Sequence, residues 1–177
     1  MASRRDFFRT LAKPSEALAG RSENLFVRPP YIHDESLFHS KCILCESKDC
    51  VSSCEEEIIV INSAGSPIIN LQKGGCTFCE ACAEVCKMGV LSLEHGAHKL
   101  NARFTIDTNA CMAHNGSICF SCKEPCIDDA ILFKGLYNPV IDPDLCTGCG
   151  FCMGRCPTDA ISFQILSPAK EMEEDSL

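Results

Sequence analysis

Residues 146–157 read CTGCGFCMGRCP, and this stretch decides the fold. Its four cysteines have the spacing C-x2-C-x2-C-x3-C, which is the bacterial ferredoxin pattern for a [4Fe–4S] cluster. Three closely spaced thiolates can cover three iron corners of one cube, and the fourth reaches a second cluster. Pro157 ends the short helix after the last cysteine. Gly148 and Gly150 lack a Cβ, so backbone N–H groups are expected to approach the cluster sulfurs.

This grouping occurs four times in the chain. The 177 residues include 16 cysteines, in groups whose first members lie 34, 35 and 35 residues apart. The groups are Cys42, Cys45, Cys50, Cys54; Cys76, Cys79, Cys82, Cys86; Cys111, Cys119, Cys122, Cys126; and Cys146, Cys149, Cys152, Cys156. Groups two and four have the tight spacing, whereas groups one and three contain one longer loop each. Because loop-closure entropy grows slowly with length, we interpret all four as cluster motifs of an internal repeat.

Short apolar runs flank each cysteine group. A run suited to a strand follows each group, at residues 58–61, 90–93, 130–133 and 160–163, and a second run precedes the next group, at 67–69, 104–106 and 139–141. Such short elements bury little apolar area, so the cysteine loops must supply the missing stability. We predict an α+β fold of two tandem two-cluster (bacterial-type) ferredoxin-like domains with short strands and short helices.

The gaps between groups predict the domain boundaries. They are 22 residues between groups one and two, 25 between groups two and three, and 20 between groups three and four. The short gaps pair group one with two and group three with four, and the longest gap is the expected linker. The predicted segments are an N-terminal arm (1–35), domain 1 (36–95), a linker (96–105), domain 2 (106–166) and an acidic C-terminal tail (167–177).

The two-cluster pattern predicts that paired groups exchange their fourth ligands. Site A would use Cys42, Cys45, Cys50 and Cys86, and site B would use Cys54, Cys76, Cys79 and Cys82. Site C would use Cys111, Cys119, Cys122 and Cys156, and site D would use Cys126, Cys146, Cys149 and Cys152. These sixteen residues are the predicted metal and cofactor ligands, and no residue is predicted to be catalytic.

Disulfides and zinc are the alternatives for an even cysteine count. Disulfides require export, and Ser3-Arg4-Arg5-Asp6-Phe7-Phe8 looks like a twin-arginine signature. Charged residues interrupt the apolar run that such a signal needs, so we expect a cytoplasmic protein with reduced thiols. All-cysteine zinc sites are the second alternative, although they usually use two separated C-x2-C pairs. His95, His98 and His114 lie near the loops and are expected to be surface residues.

Composition excludes several function classes. A formal net charge of −8 and a pI of about 5.1 argue against nucleic-acid binding and favour a basic partner surface. No apolar stretch is long enough for a transmembrane helix. There is no Gly-rich phosphate loop or G-x-S-x-G nucleophile motif, and a fully cysteine-ligated cluster leaves no open iron, so we expect no enzyme.

Further motifs carry a family resemblance. They are the seven-residue spacing between Cys111 and Cys119, Arg28-Pro29-Pro30, Asp34-Glu35-Ser36 and Ser3-Arg4-Arg5. With the four quartets, they make residues 3–163 resemble the NapF family of ferredoxin-type accessory proteins of periplasmic nitrate reductase. The resemblance implies a cytoplasmic protein with [4Fe–4S] clusters, four in this chain. It also implies interaction with the immature catalytic subunit NapA, a molybdopterin and iron–sulfur protein. The chain would help NapA to mature before NapA is exported, by electron transfer with a redox partner protein.

A second function is compatible with the same quartets. The chain would then be an electron-relay subunit of a larger oxidoreductase complex. Residues 1–20 are locally basic, and Phe7, Phe8 and Leu11 fall near one face of a helix. We expect this arm either to dock on the client or to be a disordered terminus.

Overall fold

The computed structural model describes residues 26–32, 34–94 and 98–166. The first half (34–94) contains a π-helical turn (Phe38–Cys42), helix α1 (Asp49–Ser52), strands β1 (Ile59–Ile61) and β2 (Pro67–Ile69), and helix α2 (Ala81–Glu84). The second half (98–166) contains strands β3 (Ala102–Ile106), β4 (Ile131–Lys134) and β5 (Tyr137–Ile141), a 3-10 turn (Met153–Arg155) and strand β6 (Ile161–Ile165). The prediction of a fold with short strands and short helices is therefore confirmed.

The strands form three antiparallel pairs within the described residues. β1 pairs with β2 and β4 with β5 as local hairpins, whereas β3 pairs with β6 across the second half. Isoleucines face each other in each pair, as at Ile131 opposite Ile141 and Ile106 opposite Ile161. β-Branched residues pack well on a pleated surface, which explains why these short runs adopt strands. All of the predicted runs except 90–93 overlap with a strand.

Residues 90–93 and the predicted linker differ from expectation. Leu91 forms only an isolated bridge to Ile32, and the Ser92 N–H donates to the Tyr31 carbonyl at 2.8 Å. The partner segment at Tyr31 and Ile32 is short, so it supports an isolated bridge rather than a strand at residues 90–93. The predicted linker 96–105 is wrong in its second part, because residues 102–105 belong to β3 and pair with β6.

A left-handed residue follows each cysteine group by three positions. The φ angles are 52° at Glu57, 62° at Gly89, 51° at Asp129 and 50° at Asp159. The amide of each donates to the carbonyl of the last cysteine in its group, at 3.0 Å in the first half and 3.4 Å in the second. The two residues after each turn are buried: Ile58, Ile59, Val90, Leu91, Ala130, Ile131, Ala160 and Ile161. The sequence repeat is therefore also a repeat of backbone conformation.

A strap, residues 26–32, contacts both halves. The Ile69 N–H donates to the Val27 carbonyl at 2.7 Å, and the Arg28 N–H donates to Asn101 Oδ1 at 3.0 Å. Asn101 Nδ2 donates in turn to the Phe26 carbonyl at 2.9 Å. The strap therefore fastens β2 to the start of the second half.

The Arg28 side chain fixes the strap to the first half. Its guanidinium is buried and donates to Ser66 Oγ at 3.0 Å and to the Pro67 carbonyl at 3.1 Å. It also lies 4.5 Å from the centre of the Phe38 ring and 3.5 Å from Glu35 Oε1. A buried charge is stable only with such partners, which gives the Arg28-Pro29-Pro30 segment a structural role.

Glycines allow close backbone contact between neighbouring segments. A Cβ at Gly75 would lie 2.5 Å from Phe151 Cγ, and a Cβ at Gly148 would lie 2.7 Å from the Ala102 carbonyl oxygen. Gly148 also has a φ of +76°, which L side chains rarely adopt. These positions therefore require glycine for packing, beyond the approach to sulfur that the sequence predicts.

Candidate cluster-binding sites

The structure brings thiols of different groups together. Three cavities are lined by four cysteines each: Cys42, Cys45, Cys50 and Cys86 at site A; Cys54, Cys76, Cys79 and Cys82 at site B; and Cys111, Cys119, Cys122 and Cys156 at site C. Their volumes, including the part open to solvent, are about 400, 390 and 340 Å³. In each cavity, three cysteines come from one group and the fourth comes from its paired group.

Site D follows the same rule. Cys126 lies close enough to Cys146, Cys149 and Cys152 for its negative charge to raise the pKa of all three thiols. Burial is the larger cause of each of these shifts. Three of the four predicted quartets therefore line one cavity each, and Cys126 lies near the other three predicted ligands of site D.

Short helices produce this crossing in the first half. Cys50 lies in α1 and lines site A, whereas Cys54 follows α1 and lines site B. α2 places Cys82 at site B, and Cys86, just after its end, at site A. Residues four apart lie one turn apart along a helix, so each helix supplies neighbouring sites.

Several thiols of these quartets have raised pKa values. Burial raises the pKa of Cys50, Cys76 and Cys122 to about 11. It raises the pKa of Cys82 and Cys152 to about 12, with neighbouring thiols adding to the effect. These groups are protonated at neutral pH when no metal is bound. Binding iron as thiolates must therefore release protons.

Backbone amides point at several sulfurs. The Phe78 N–H donates to Cys76 Sγ at 3.4 Å, the Leu91 N–H to Cys86 Sγ at 3.4 Å, and the Ala160 N–H to Cys156 Sγ at 3.2 Å. Hydroxyls also lie near sulfur: Ser47 near Cys45, Ser121 near Cys119 and Thr158 near Cys156. Donors of this kind stabilise negative charge on thiolates and influence reduction potential.

Lys48 is a site residue that the sequence reasoning missed. Its ammonium donates to the Cys42 carbonyl and, at 2.8 Å, to the Gly65 carbonyl, and the residue lines site A. Burial raises the pKa of the Cys42 thiol, whereas Lys48 and Arg28 oppose that rise. The signal in the sequence was the longer loop of group one, residues 46–49, which brings the lysine to the site.

Tyr31 is a second residue that sequence reasoning missed. It is buried and lines site B, and its O–H donates to the Phe78 carbonyl at 2.8 Å. Burial and the charge of Glu80 raise the pKa of the phenol well above its usual range. Tyr31 therefore supports the loop whose amide contacts Cys76, and no local motif marks it.

The remaining features predicted from the sequence are the histidines and the terminal segments. The His98 side chain is 61% exposed and lies 3.4 Å from Glu80, and His114 Nε2 lies 3.0 Å from the Pro139 carbonyl oxygen. Neither histidine is a member of a cysteine quartet, and each makes its contact at the protein surface. His95, residues 1–25 of the predicted N-terminal arm and the acidic tail (167–177) lie outside the described residues.

Two negative findings apply to residues 26–32, 34–94 and 98–166. No group of three or more His, Cys, Asp and Glu side chains in these ranges is placed to hold a single metal ion. None of the helices in the same ranges has the length and apolar character to cross a membrane.

Comparisons with known proteins connect this geometry to a family. The family described as "4Fe-4S binding domain" matches residues 139–162, which contain group four. The ferredoxin-type protein NapF of Escherichia coli (strain K12) is 35% identical over 144 residues, covering 79% of this chain and 85% of that protein. The chain belongs to the NapF family. NapF of Haemophilus influenzae (strain ATCC 51907 / DSM 11121 / KW20 / Rd) is 33% identical over 170 residues, covering 92% of this chain and 94% of that protein.

Similarity extends beyond the NapF family. The ferredoxin-type protein NapG of Escherichia coli (strain K12) is 26% identical over 198 residues, covering 92% of this chain and 85% of that protein. Together, the NapF and 4Fe-4S matches make this chain a ferredoxin-type iron–sulfur protein.

Proposed function

We propose that the chain binds four [4Fe–4S] clusters, one in each of quartets A to D, in two tandem two-cluster units. The observation that carries this proposal is the crossed membership of the quartets, because it is the arrangement that two-cluster ferredoxin motifs require. The repeated left-handed turn after each group supports two units of similar design.

The chemistry of the sites fits such a cluster. Four thiols with nearby N–H donors suit a multi-atom, negatively charged group. The tight C-x2-C-x2-C-x3-C spacing of groups two and four favours a cluster over the zinc alternative, whose sites usually use two separated C-x2-C pairs.

The proposed role is that of a cytoplasmic, non-enzymatic accessory protein that helps to mature NapA before its export. When bound, the clusters supply one-electron transfer with a redox partner protein. The chain's own residues hold the thiolates, shield them by burial and place N–H donors on them. This role rests on membership of the NapF family and on the sites, and it is a proposal for this chain.

Iron and sulfide analysis of anaerobically purified protein tests the cluster count. We expect about sixteen irons and sixteen sulfides per chain and a broad absorption band near roughly 400 nm. Stoichiometric zinc with no visible colour would contradict the proposal.

A pair of cysteine variants tests the crossing. Cys86→Ser should impair the cluster of site A and leave that of site B assembled, whereas Cys82→Ser should do the reverse. The two residues lie at the same helix, so the pair controls for local damage. Depletion of site B by Cys86→Ser would show that each group binds its own cluster.

Binding to NapA tests the accessory role. We expect the holoprotein to capture unexported NapA more strongly than mature NapA. A matched protein stripped of iron serves as the control. Equal capture of both forms, with stable co-purification in another oxidoreductase, would favour the electron-relay alternative.

A further inference from the structure

Sites within each half are direct neighbours. α1 and α2 each carry one thiol to site A and one to site B. In the second half, Cys152 and Cys156 flank the 3-10 turn and belong to sites D and C. Sites A and B therefore share the same short helical segments, as do sites C and D. One helical turn of backbone separates the ligands that such a segment supplies to the two sites.

The two halves meet at sites B and D. The Cys76 N–H donates to the Cys149 carbonyl at 2.8 Å, so a ligand residue of site B is hydrogen-bonded to a ligand residue of site D.

Close packing holds this junction together. Gly75 precedes Cys76, and a Cβ there would lie 2.7 Å from the Phe151 backbone nitrogen. A Cβ at Gly150 would lie 2.6 Å from Leu71 Cδ2. The two halves are thus in backbone contact at the loops that carry the ligands.

We propose that the Cys76–Cys149 junction joins the four sites into one series, A–B–D–C, so that electrons cross between the halves. The inference rests on the proposed function, because it assumes that all four sites are filled. One electron passes from site B to site D or back, and no bond forms or breaks and no proton moves. A one-electron donor protein at one end and a one-electron acceptor at the other would complete the transfer.

Magnetic coupling between neighbouring reduced clusters tests the series. The double variant Cys42→Ser/Cys45→Ser removes site A, and dithionite reduces the remaining clusters. If the series exists, the EPR signal of site B stays broadened by site D. Removing site D as well, with Cys146→Ser/Cys149→Ser, should then narrow that signal. An equally narrow signal of site B in both backgrounds would overturn the inference.

Glycine variants test the junction itself. In the background that lacks site A, Gly75→Ala should separate the loops and narrow the signal of site B. Gly154→Ala is the matched control, because a Cβ there meets no atom within 4 Å and its φ is not positive. Equal broadening in both variants would contradict a role for this contact. If Gly75→Ala loses its iron, the series is tested only by the comparison of the cysteine variants that keep or lack site D.

The two proposals fail differently. Fewer than four clusters in the unmodified protein, measured as iron and sulfide, would count against the proposed function. Four clusters with no broadening between sites B and D would leave that function intact and would refute the series.

Discussion

Lys48 places a positive charge beside site A. Its ammonium is held by the Cys42 and Gly65 carbonyls in the wall of site A. A nearby cation favours the more negative, reduced form of a bound group. The longer loop of group one therefore gives site A an electrostatic setting of its own.

Replacing this lysine should lower one reduction potential. For Lys48→Met, we expect the potential of site A to fall by tens of millivolts, on a scale where about 59 mV is a tenfold change for one electron. A redox titration followed by EPR measures it. Lys73→Met is the control, because Lys73 contacts the Glu57 carbonyl and does not line site A. An equal shift at all four sites would refute a local effect.

Glu57 carries backbone strain that glycine would relieve. Its φ is 52°, whereas the equivalent residue of group two is Gly89. The left-handed conformation costs an L residue about 1–2 kcal/mol, and glycine's extra entropy offsets part of the gain. Glu57→Gly should therefore stabilise the holoprotein by about 0.5–1 kcal/mol.

The slowest-exchanging core amides report this change. Glu56→Gly is the matched control, since Glu56 belongs to the same acidic run and has no positive φ. It should destabilise the protein. Stabilisation by both variants would show that charge, not strain, is responsible.

At the scale of elements, the loop of site D packs against the start of β3. A Cβ at Gly148 would lie 2.7 Å from the Ala102 carbonyl oxygen, at a φ of +76°. Gly148→Ala should therefore destabilise the second half by roughly 1–3 kcal/mol and speed iron loss from site D. Iron release in the presence of a chelator, followed by absorption and EPR, measures this.

The turn between β4 and β5 supplies a matched control for that prediction. Gly135 has a φ of +68°, and a Cβ there would meet no atom within 4 Å. Gly135→Ala should therefore show the cost of conformational strain alone, about 1–2 kcal/mol. Equal iron loss from site D in both variants would mean that contact with β3 is unimportant.

The spacing of residues along the chain explains which strands and which groups of thiols could be predicted from the sequence. Six of the seven apolar runs beside the cysteine groups form strands. β1 with β2 and β4 with β5 have nearby partners, whereas β3 and β6 pair across the second half. Residues 90–93 failed, since their partner is the strap, which is distant in sequence. The grouping of thiols followed from short helices that separate residues such as Cys50 and Cys54.

Long-range contacts explain what could not be predicted. Tyr31 at site B and the Cys76–Cys149 hydrogen bond join residues 47 or more positions from their partners. No spacing rule within a motif encodes such contacts. Gly150 was assigned to sulfur approach alone, and its packing partner, Leu71, lies in the other half of the chain.

At the scale of the whole molecule, bound clusters should supply most of the folding free energy. The strands have three to five residues, and large side chains such as Leu44 (73% exposed) remain on the surface. Some of the thiols in each half, such as Cys82 and Cys152, are also buried. Small domains with so little apolar burial generally need metal for stability.

Anaerobic removal of iron tests this dependence. We expect the apoprotein to lose its native far-UV CD and its amide protection, as in other small metal-dependent domains. Reconstitution with iron and sulfide should restore both signals. Native-like CD and exchange protection without iron would show that the apolar core alone is sufficient.

The strap also sets an order of events during translation. Residues 26–32 leave the ribosome before their partners, so Val27 can contact Ile69 before Arg28 can contact Asn101. The Leu166 N–H donates to the Asn101 carbonyl at 2.8 Å, so this anchor is complete only after residue 166 has been made. At about 5–20 residues per second, the ribosome needs roughly 3–13 s between those two residues. During those seconds, the nascent chain already displays all eight thiols of sites A and B to the cell's iron–sulfur donors, while the second half is still being made.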